Sequence, residues 1–186
     1  MDPFATLGIE RTFDIDRAAV DKTHRELSRT LHPDRHAGGG ASERRYALSK
    51  AIEVNEAWRI VKDPIRRAEA LFRLAGVAVG EANEPKAAPE LLMDMMEQRE
   101  SLSEARAKRD LTAARALAAR IDAQAVSTER SLSDGFRSAK GDPEALGELL
   151  PRLGELRFYR RFLDEVSDLE DWETEEAART KAAAVQ

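Results

Sequence analysis

The chain has 186 residues, of which 42% are hydrophobic, 35% charged and only 5% aromatic. This composition is typical of a folded, helix-rich protein and predicts little or no strand. The chain contains no cysteine, which excludes disulfide bonds, thiolate zinc sites and iron–sulfur clusters held by its own cysteines.

The net charge of −5 is unevenly distributed along the chain. Residues 1–75 hold 14 Lys and Arg against 12 Asp and Glu, whereas residues 76–186 hold 16 against 23. Nucleic-acid binding needs a concentrated basic surface, so we expect no such partner. The N-terminus shows no targeting leader, and no uncharged run is long enough to span a bilayer. We therefore expect a cytoplasmic protein without a membrane partner.

Two helices are predicted at the start of the chain. Asp2-Pro3 combines an N-cap with proline at the first helical position, and Gly8 ends this short helix after Leu7. A second helix begins near Asp16, and its apolar face follows from steps of three and four residues: Val20, His24, Leu27 and Leu31. The opposite face carries three basic residues, Lys22, Arg25 and Arg29.

The second helix is predicted to end at the tripeptide His32-Pro33-Asp34. Pro33 disfavours helical dihedrals at the residue before it, and Gly38, Gly39 and Gly40 predict a loop. A third helix should run from about Ser42 to Asp63-Pro64. The two long helices would then form an antiparallel hairpin joined by this loop.

The remainder of the chain is also predicted to be helical. A fourth helix follows Pro64, and glycines and prolines then mark a linker. Three helices, at about 90–108, 111–138 and 143–171, predict an antiparallel bundle. We thus predict an all-α protein with an N-terminal domain at 1–75, a linker at 76–89, a C-terminal bundle at 90–175 and a disordered tail at 176–186.

The sequence contains few of the residue patterns that indicate an enzyme active site or a metal site. His32 and Asp34 could act as a base and its orienting group, but there is no cysteine and no serine in a nucleophile elbow. His32 and His36 could ligate a metal, yet they lack the helical spacing of a zinc protease. The glycine loop lacks the lysine of a nucleotide-binding loop. We expect no enzymatic centre, no metal and no cofactor; a small helical metal-binding protein centred on His32 and His36 is the alternative.

The hairpin resembles a known domain. The tripeptide His32-Pro33-Asp34, placed between two such helices and behind a short opening helix, is similar to the J-domain of co-chaperones that activate DnaK-class chaperones. Further segments resemble the HscB family, the J-proteins of iron–sulfur cluster assembly: Met1–Phe4, Asn55–Trp58, Asp63-Pro64, Arg67–Leu71, Leu91–Glu100 and Leu156–Phe158. His24 stands where this family usually has an apolar core residue.

The resemblance implies two protein partners. The J-domain would dock on an HscA-type, DnaK-class chaperone and stimulate its ATPase, while the C-terminal bundle would hold the iron–sulfur scaffold protein IscU. A general J-domain co-chaperone with another client is the alternative. The resemblance and the basic face together assign these residues to chaperone binding: His32, Pro33, Asp34, Lys22, Arg25, Arg29 and Arg35.

A second set of residues is assigned to scaffold binding. On a helical wheel Leu92, Met93 and Met96 lie outside the predicted inward stripe of their helix. Phe158 falls opposite the inward seam of the last helix. From the residues alone, a third helix could cover this sector and make all four residues ordinary core. The resemblance implies instead that they form an exposed partner-binding patch, and we predict this arrangement. The apolar members of the predicted site are Leu92, Met93, Met96 and Phe158, and its charged rim is Glu97, Arg99 and Glu100.

Overall fold

The computed structural model describes residues 1–32, 35, 40–80 and 89–183, with side chains at all of these positions except 90 and 170–183. Eight α-helices and no strand lie in these ranges, which confirms the predicted all-α fold. The chain divides into two compact units. The first comprises Met1–Asn83 with Leu132–Leu149, and the second comprises Glu84–Ser131 with Leu150–Gln186.

Local capping signals set the helices of the first unit. These are α1 (Pro3–Leu7), α2 (Arg17–Thr30), α3 (Ala41–Lys62) and α4 (Pro64–Leu74). The side chains of Asp2, Asp16 and Asp63 accept backbone N–H groups in the first turns of α1, α2 and α4. Gly8 ends α1 in the left-handed region at a φ of 66°, which glycine adopts without a steric cost. These helices match the predicted order closely.

The helices α2 and α3 pack as an antiparallel hairpin. Asp21, near the start of α2, contacts Trp58 and Lys62 near the end of α3. On α3 the small and β-branched residues Ala47, Val54 and Val61 are buried. The core of the unit is completed by further apolar side chains: Phe4, Leu7, Phe13, Val20, Ala57, Ala68 and Phe72.

Residues 132–149 belong to the first unit, although the predicted boundaries placed them in the C-terminal bundle. Phe136, near the end of α6 (Leu111–Ala139), explains this grouping. Its ring lies 5.3 Å from that of Phe13 and 4.9 Å from that of Phe72, measured between centroids. Local periodicity cannot predict such aromatic packing, because the residues that make it are distant in the sequence.

The second unit is built from α5 (Pro89–Ala107), the part of α6 up to Ser131, and α8 (Leu150–Ala183). Its core contains Leu153, Leu156, Tyr159 and Val166 of α8. Other buried apolar residues come from all three helices: Leu102, Ala105, Ala114, Ile121, Phe158, Phe162 and Leu169.

The predicted single helix over 143–171 is wrong. The chain instead forms the short α7 (Pro143–Gly147) in the first unit and begins α8 at Leu150. Pro151 explains the break, because proline has no N–H for a helix interior and is accepted in a first turn. The helix α8 then continues to Ala183, into the segment 176–186 that we expected to be disordered. Alanine, glutamate, arginine and lysine, which dominate this segment, are strong helix formers.

Candidate functional site

The first candidate surface lies on α2 in the first unit. Lys22, Arg25 and Arg29, which we call the α2 basic face, are all exposed. None of the three has a salt bridge to a carboxylate within the described part of the chain. Their charges are therefore available to a partner protein.

The α2 basic face is fixed against α3 by a polar contact at the hairpin. The indole N–H of Trp58 donates to Asp21 Oδ1 at 2.7 Å, and the Lys62 ammonium lies 3.6 Å from the same oxygen. Lys62 also lies 4.6 Å from the centroid of the Trp58 ring. The hydrogen bond from Trp58, together with Lys62 and Arg25, lowers the pKa of Asp21 below its usual value. The carboxylate stays charged and holds one orientation of the two helices.

His24 replaces an apolar core residue without leaving its ring nitrogen unsatisfied. Its ring stacks on Trp58 with a centroid distance of 4.5 Å and an interplanar angle of 15°. The Nε2 atom lies 2.8 Å from Asn55 Oδ1 and 3.2 Å from Ser28 Oγ. The imidazole thus fills the apolar position as a flat ring and makes its polar contacts at the edge.

The predicted tripeptide is only partly within the described structure. His32 is exposed and directly follows the C-cap residue Leu31. Arg35 is exposed too, and its backbone N–H donates to the carbonyl of His32 at 3.0 Å. Pro33 and Asp34 lie outside the described residues, as does His36. The structure therefore places His32 and Arg35 just beyond the C-terminus of α2, the helix that carries the α2 basic face.

The second candidate surface lies on α5 in the second unit. Leu92, Met93 and Met96, the α5 apolar patch, are exposed to 46%, 72% and 73%. Single exposed apolar residues are common, but three on one side of one helix form a patch of the kind that partners cover. The flexible thioethers of the two methionines can adapt to an irregular partner surface.

The prediction that Phe158 is exposed is wrong. Its side chain is only 3% exposed, and its ring lies against Tyr159 and Phe162. Because α5 covers this side of α8, Phe158 forms the floor of a shallow depression under Leu92 and Met96. The spacing of Phe158, Phe162 and Leu169, at four and seven residues, is the sequence signal for this second apolar face of α8.

The three residues predicted to form a charged rim lie on α5. Glu97, Arg99 and Glu100 are all exposed. The guanidinium of Arg99 forms a 2.8 Å ion pair with Glu165 of α8, which the sequence reading did not identify. This pair crosses from α5 to α8 and orients the Arg99 side chain along the edge of the depression.

A polar cluster lies in the interior of the second unit and was missed by the sequence reading. Gln98 is 1% exposed, and its Nε2 donates to Asp94 Oδ2 at 2.7 Å. Thr128 donates to Glu155, which also accepts from Arg152 at 2.9 Å. Burial, followed by the nearby charges of Glu155 and Asp94, raises the pKa of Tyr159. Glutamine and threonine carry no periodic apolar signal, so periodicity could not place them inside.

The described ranges contain neither a metal-binding cluster nor a membrane-spanning helix. No group of three or more His, Cys, Asp and Glu side chains is close enough there to hold a metal ion. None of the helices in those ranges combines the length and hydropathy that crossing a membrane requires.

Comparison with protein families matches both parts of the chain. The DnaJ domain family matches residues 2–70, and the HSCB C-terminal oligomerisation domain matches residues 87–167. A co-chaperone protein HscB homolog of Cupriavidus taiwanensis is 37% identical over 152 residues, which cover 82% of this chain and 85% of that protein. A homolog from Burkholderia multivorans is 40% identical over 109 residues, covering 59% and 62% of the two chains.

Two solved structures share the fold. Chaperone HscB from Vibrio cholerae is 27% identical, with a TM-score of 0.78 over 92% of this chain and 99% of that one. Human co-chaperone protein HscB is 21% identical, with a TM-score of 0.80 over 90% and 81% of the two chains, a likeness of fold alone.

Proposed function

Because this chain belongs to the HscB co-chaperone family, we propose that it serves iron–sulfur cluster assembly by delivering an IscU-type scaffold protein to an HscA-type, DnaK-class chaperone. It stimulates the chaperone's ATPase while performing no chemistry of its own. One observation carries the proposal: a J-domain hairpin with an exposed basic face and a second unit with an exposed apolar patch occur in the same chain.

The α2 basic face docks the chaperone in this proposal. Three exposed cations on one side of a helix attract an acidic surface and orient the encounter, and salt screens that attraction. The Trp58–Asp21 contact keeps α2 in place during docking. A charge reversal on this face should therefore slow association more than it speeds dissociation.

The tripeptide His32-Pro33-Asp34 triggers hydrolysis after docking. Proline restricts the backbone, and the flanking His and Asp offer short, directional hydrogen-bonding groups. These groups bias the chaperone toward its hydrolysing arrangement, while the chaperone supplies the catalytic residues. This role is carried over from the family resemblance, because Pro33 and Asp34 lie outside the described residues.

The α5 apolar patch holds the scaffold protein. Covering Leu92, Met93 and Met96 removes apolar surface from water, which is the main favourable contribution at the centre of a protein interface. Glu97, Arg99 and Glu100 form the polar rim that sets the orientation of the partner. Phe158 contributes from below, because its ring forms the floor of the depression.

Single-turnover ATP hydrolysis by a purified HscA-type chaperone tests the proposal. The chaperone is measured alone, with this protein, with the scaffold and with both. We expect stimulation by this protein and a larger stimulation with both, and we expect none with His32→Gln. A chaperone that responds equally to the wild type and to His32→Gln would overturn the proposal.

A matched pair of charge reversals separates docking from overall charge. Arg25 lies in the α2 basic face, whereas Arg130 is an exposed arginine of the second unit without a salt bridge to a described carboxylate. Arg25→Glu should raise the concentration needed for half-maximal stimulation by about tenfold, and Arg130→Glu should not. Equal effects of the two variants would remove the α2 basic face from the proposal.

A further inference from the structure

A depression beside the α5 apolar patch brings an apolar floor next to two arginines. It occupies about 440 Å³ between α5 and α8, and Phe158 forms its floor. Its walls are Leu92, Met95 and Met96, and two arginines complete its edge, Arg99 on α5 and Arg161 on α8.

The two arginines differ in their partners. Arg99 is neutralised by its 2.8 Å ion pair with Glu165. Arg161 is exposed, and no described carboxylate lies within salt-bridge distance of it. Within the part of the chain that the structure describes, an exposed guanidinium without a carboxylate partner therefore stands beside the apolar floor.

The charges around the α5 apolar patch are also ordered. At about 100° per residue, Arg99 lies on the side of Leu92 that faces α8, while Glu100 and Glu97 flank Met93 on the side away from α8. The positive charge without an ion-pair partner among the described residues therefore lies at the α8 side of the patch, on Arg161, and the acidic side chains lie around Met93 on the opposite side. A partner that covers the patch in one orientation can pair opposite charges on both sides of it, whereas the reversed orientation brings like charges together.

We propose that Arg161 determines specificity for the scaffold by receiving a partner carboxylate that lies next to an apolar side chain seated in the depression. This inference rests on the proposed function and adds to it the chemistry of the recognised segment. An apolar side chain over Phe158 excludes water from the neighbouring ion pair and strengthens it. Arginine suits the role because its planar fork can donate two hydrogen bonds to one carboxylate.

Isothermal titration of an IscU-type scaffold into Arg161 variants of the full chain tests the proposal. Arg161→Glu should raise the Kd by about tenfold or more, and Arg161→Lys should raise it less, because the charge remains and the fork is lost. The control Arg130→Glu makes the same charge change on an exposed position of the same unit. Circular dichroism and the Tm of each variant establish that it is folded.

A charge-reversal rescue identifies the partner group. Individual Asp and Glu residues on the scaffold surface are replaced by Lys and titrated into the Arg161→Glu variant. Recovery of affinity by one replacement supports the ion pair. Failure of every replacement to recover affinity, or equal effects of Arg161→Glu and Arg130→Glu, overturns it.

The double variant Leu92→Ala/Met96→Ala distinguishes this inference from the function on which it rests. If the double variant loses scaffold binding while Arg161→Glu behaves like the control, the scaffold uses the patch and the role of Arg161 is refuted. If the double variant binds the scaffold as the wild type does, the patch itself fails, and the inference fails with it.

Discussion

Trp58 donates its indole N–H to Asp21 across the helical hairpin, and this bond joins the helix of the α2 basic face to its support on α3. Lys62 approaches the same carboxylate and lies over the Trp58 ring, while His24 stacks on that ring. The hairpin is thus held by a polar cluster near one end of its apolar seam.

Asp21→Asn should lower the Tm, and the loss should depend on pH. The pKa of Asp21 is lowered in the folded state, chiefly by the Trp58 hydrogen bond and then by Lys62. The contribution of the Asp21 carboxylate to stability is therefore complete above its ordinary pKa of 3.8 and is lost as the pH falls through the folded-state pKa. Thermal unfolding from pH 7 to pH 2.5 measures the difference between the two proteins. A difference that stays constant through this range would contradict the assignment.

Arg67→Met should destabilise the first unit by about 2–4 kcal/mol. Arg67 is 4% exposed, donates to the carbonyl of Val61 at 2.7 Å and lies 4.6 Å from the Phe13 ring centroid. Its removal leaves a buried carbonyl at the end of α3 without this donor. Chemical denaturation measures the change in the free energy of unfolding.

The neighbouring Arg66 provides the control for Arg67. It is 56% exposed and lies 3.9 Å from Glu56, so Arg66→Met should change the free energy of unfolding by less than about 0.5 kcal/mol. Similar effects of the two substitutions would show that burial of Arg67 contributes little.

Tyr159→Phe should make the second unit less sensitive to alkaline pH. Burial raises the pKa of Tyr159, and Glu155 and Asp94 raise it further. The Tyr159 hydroxyl therefore loses its proton at a lower pH in the unfolded chain than in the folded one. The contribution of the neutral Tyr159 to the free energy of unfolding is complete below the ordinary pKa of 10.0 and is lost as the pH rises through the folded-state pKa.

The alkaline unfolding of both proteins, followed by far-ultraviolet circular dichroism, measures this effect. The wild type should lose stability more steeply than the variant above pH 10. Identical unfolding profiles of the wild type and Tyr159→Phe would show that ionisation of other groups causes the alkaline transition.

Phe158→Ala should lower the free energy of unfolding of the second unit by about 3–5 kcal/mol, because it removes a buried aromatic ring. Leu92→Ala should cost less than about 1 kcal/mol, since Leu92 is 46% exposed. Denaturant titration of the two variants measures both values. A Phe158→Ala variant as stable as Leu92→Ala would contradict the burial of the ring. Scaffold binding is therefore tested at Leu92 and Met96, where a loss of affinity does not also report unfolding.

Local chemistry made much of this fold predictable. Aspartate before proline marks the starts of α1, α4 and α7, and the step of three and four residues located the α2 basic face. These signals act within one or two helical turns, so one chain segment is enough to see them. The same reasoning placed Leu92, Met93 and Met96 on an exposed face.

Features that depend on a second segment were not predictable in this way. Phe158 is buried because α5 lies over its side of α8, and residues 132–149 join the first unit because Phe136 meets Phe13 and Phe72. The buried Gln98 depends on Asp94 and on the packed bundle around it. The break before α8 is different, because Pro151 is a local signal that is present in the sequence itself.

Delivery of the scaffold to the chaperone requires both partner surfaces on one chain. Two variants test it most directly, His32→Gln, which retains the α5 apolar patch, and Leu92→Ala/Met96→Ala, which retains the J-domain. Single-turnover ATP hydrolysis by the chaperone is measured with scaffold and either the wild type or an equimolar mixture of the two variants. We predict that the wild type gives the combined stimulation and that the mixture gives only the stimulation of the J-domain alone. A mixture that matches the wild type would contradict delivery of the scaffold by a single two-surface adaptor.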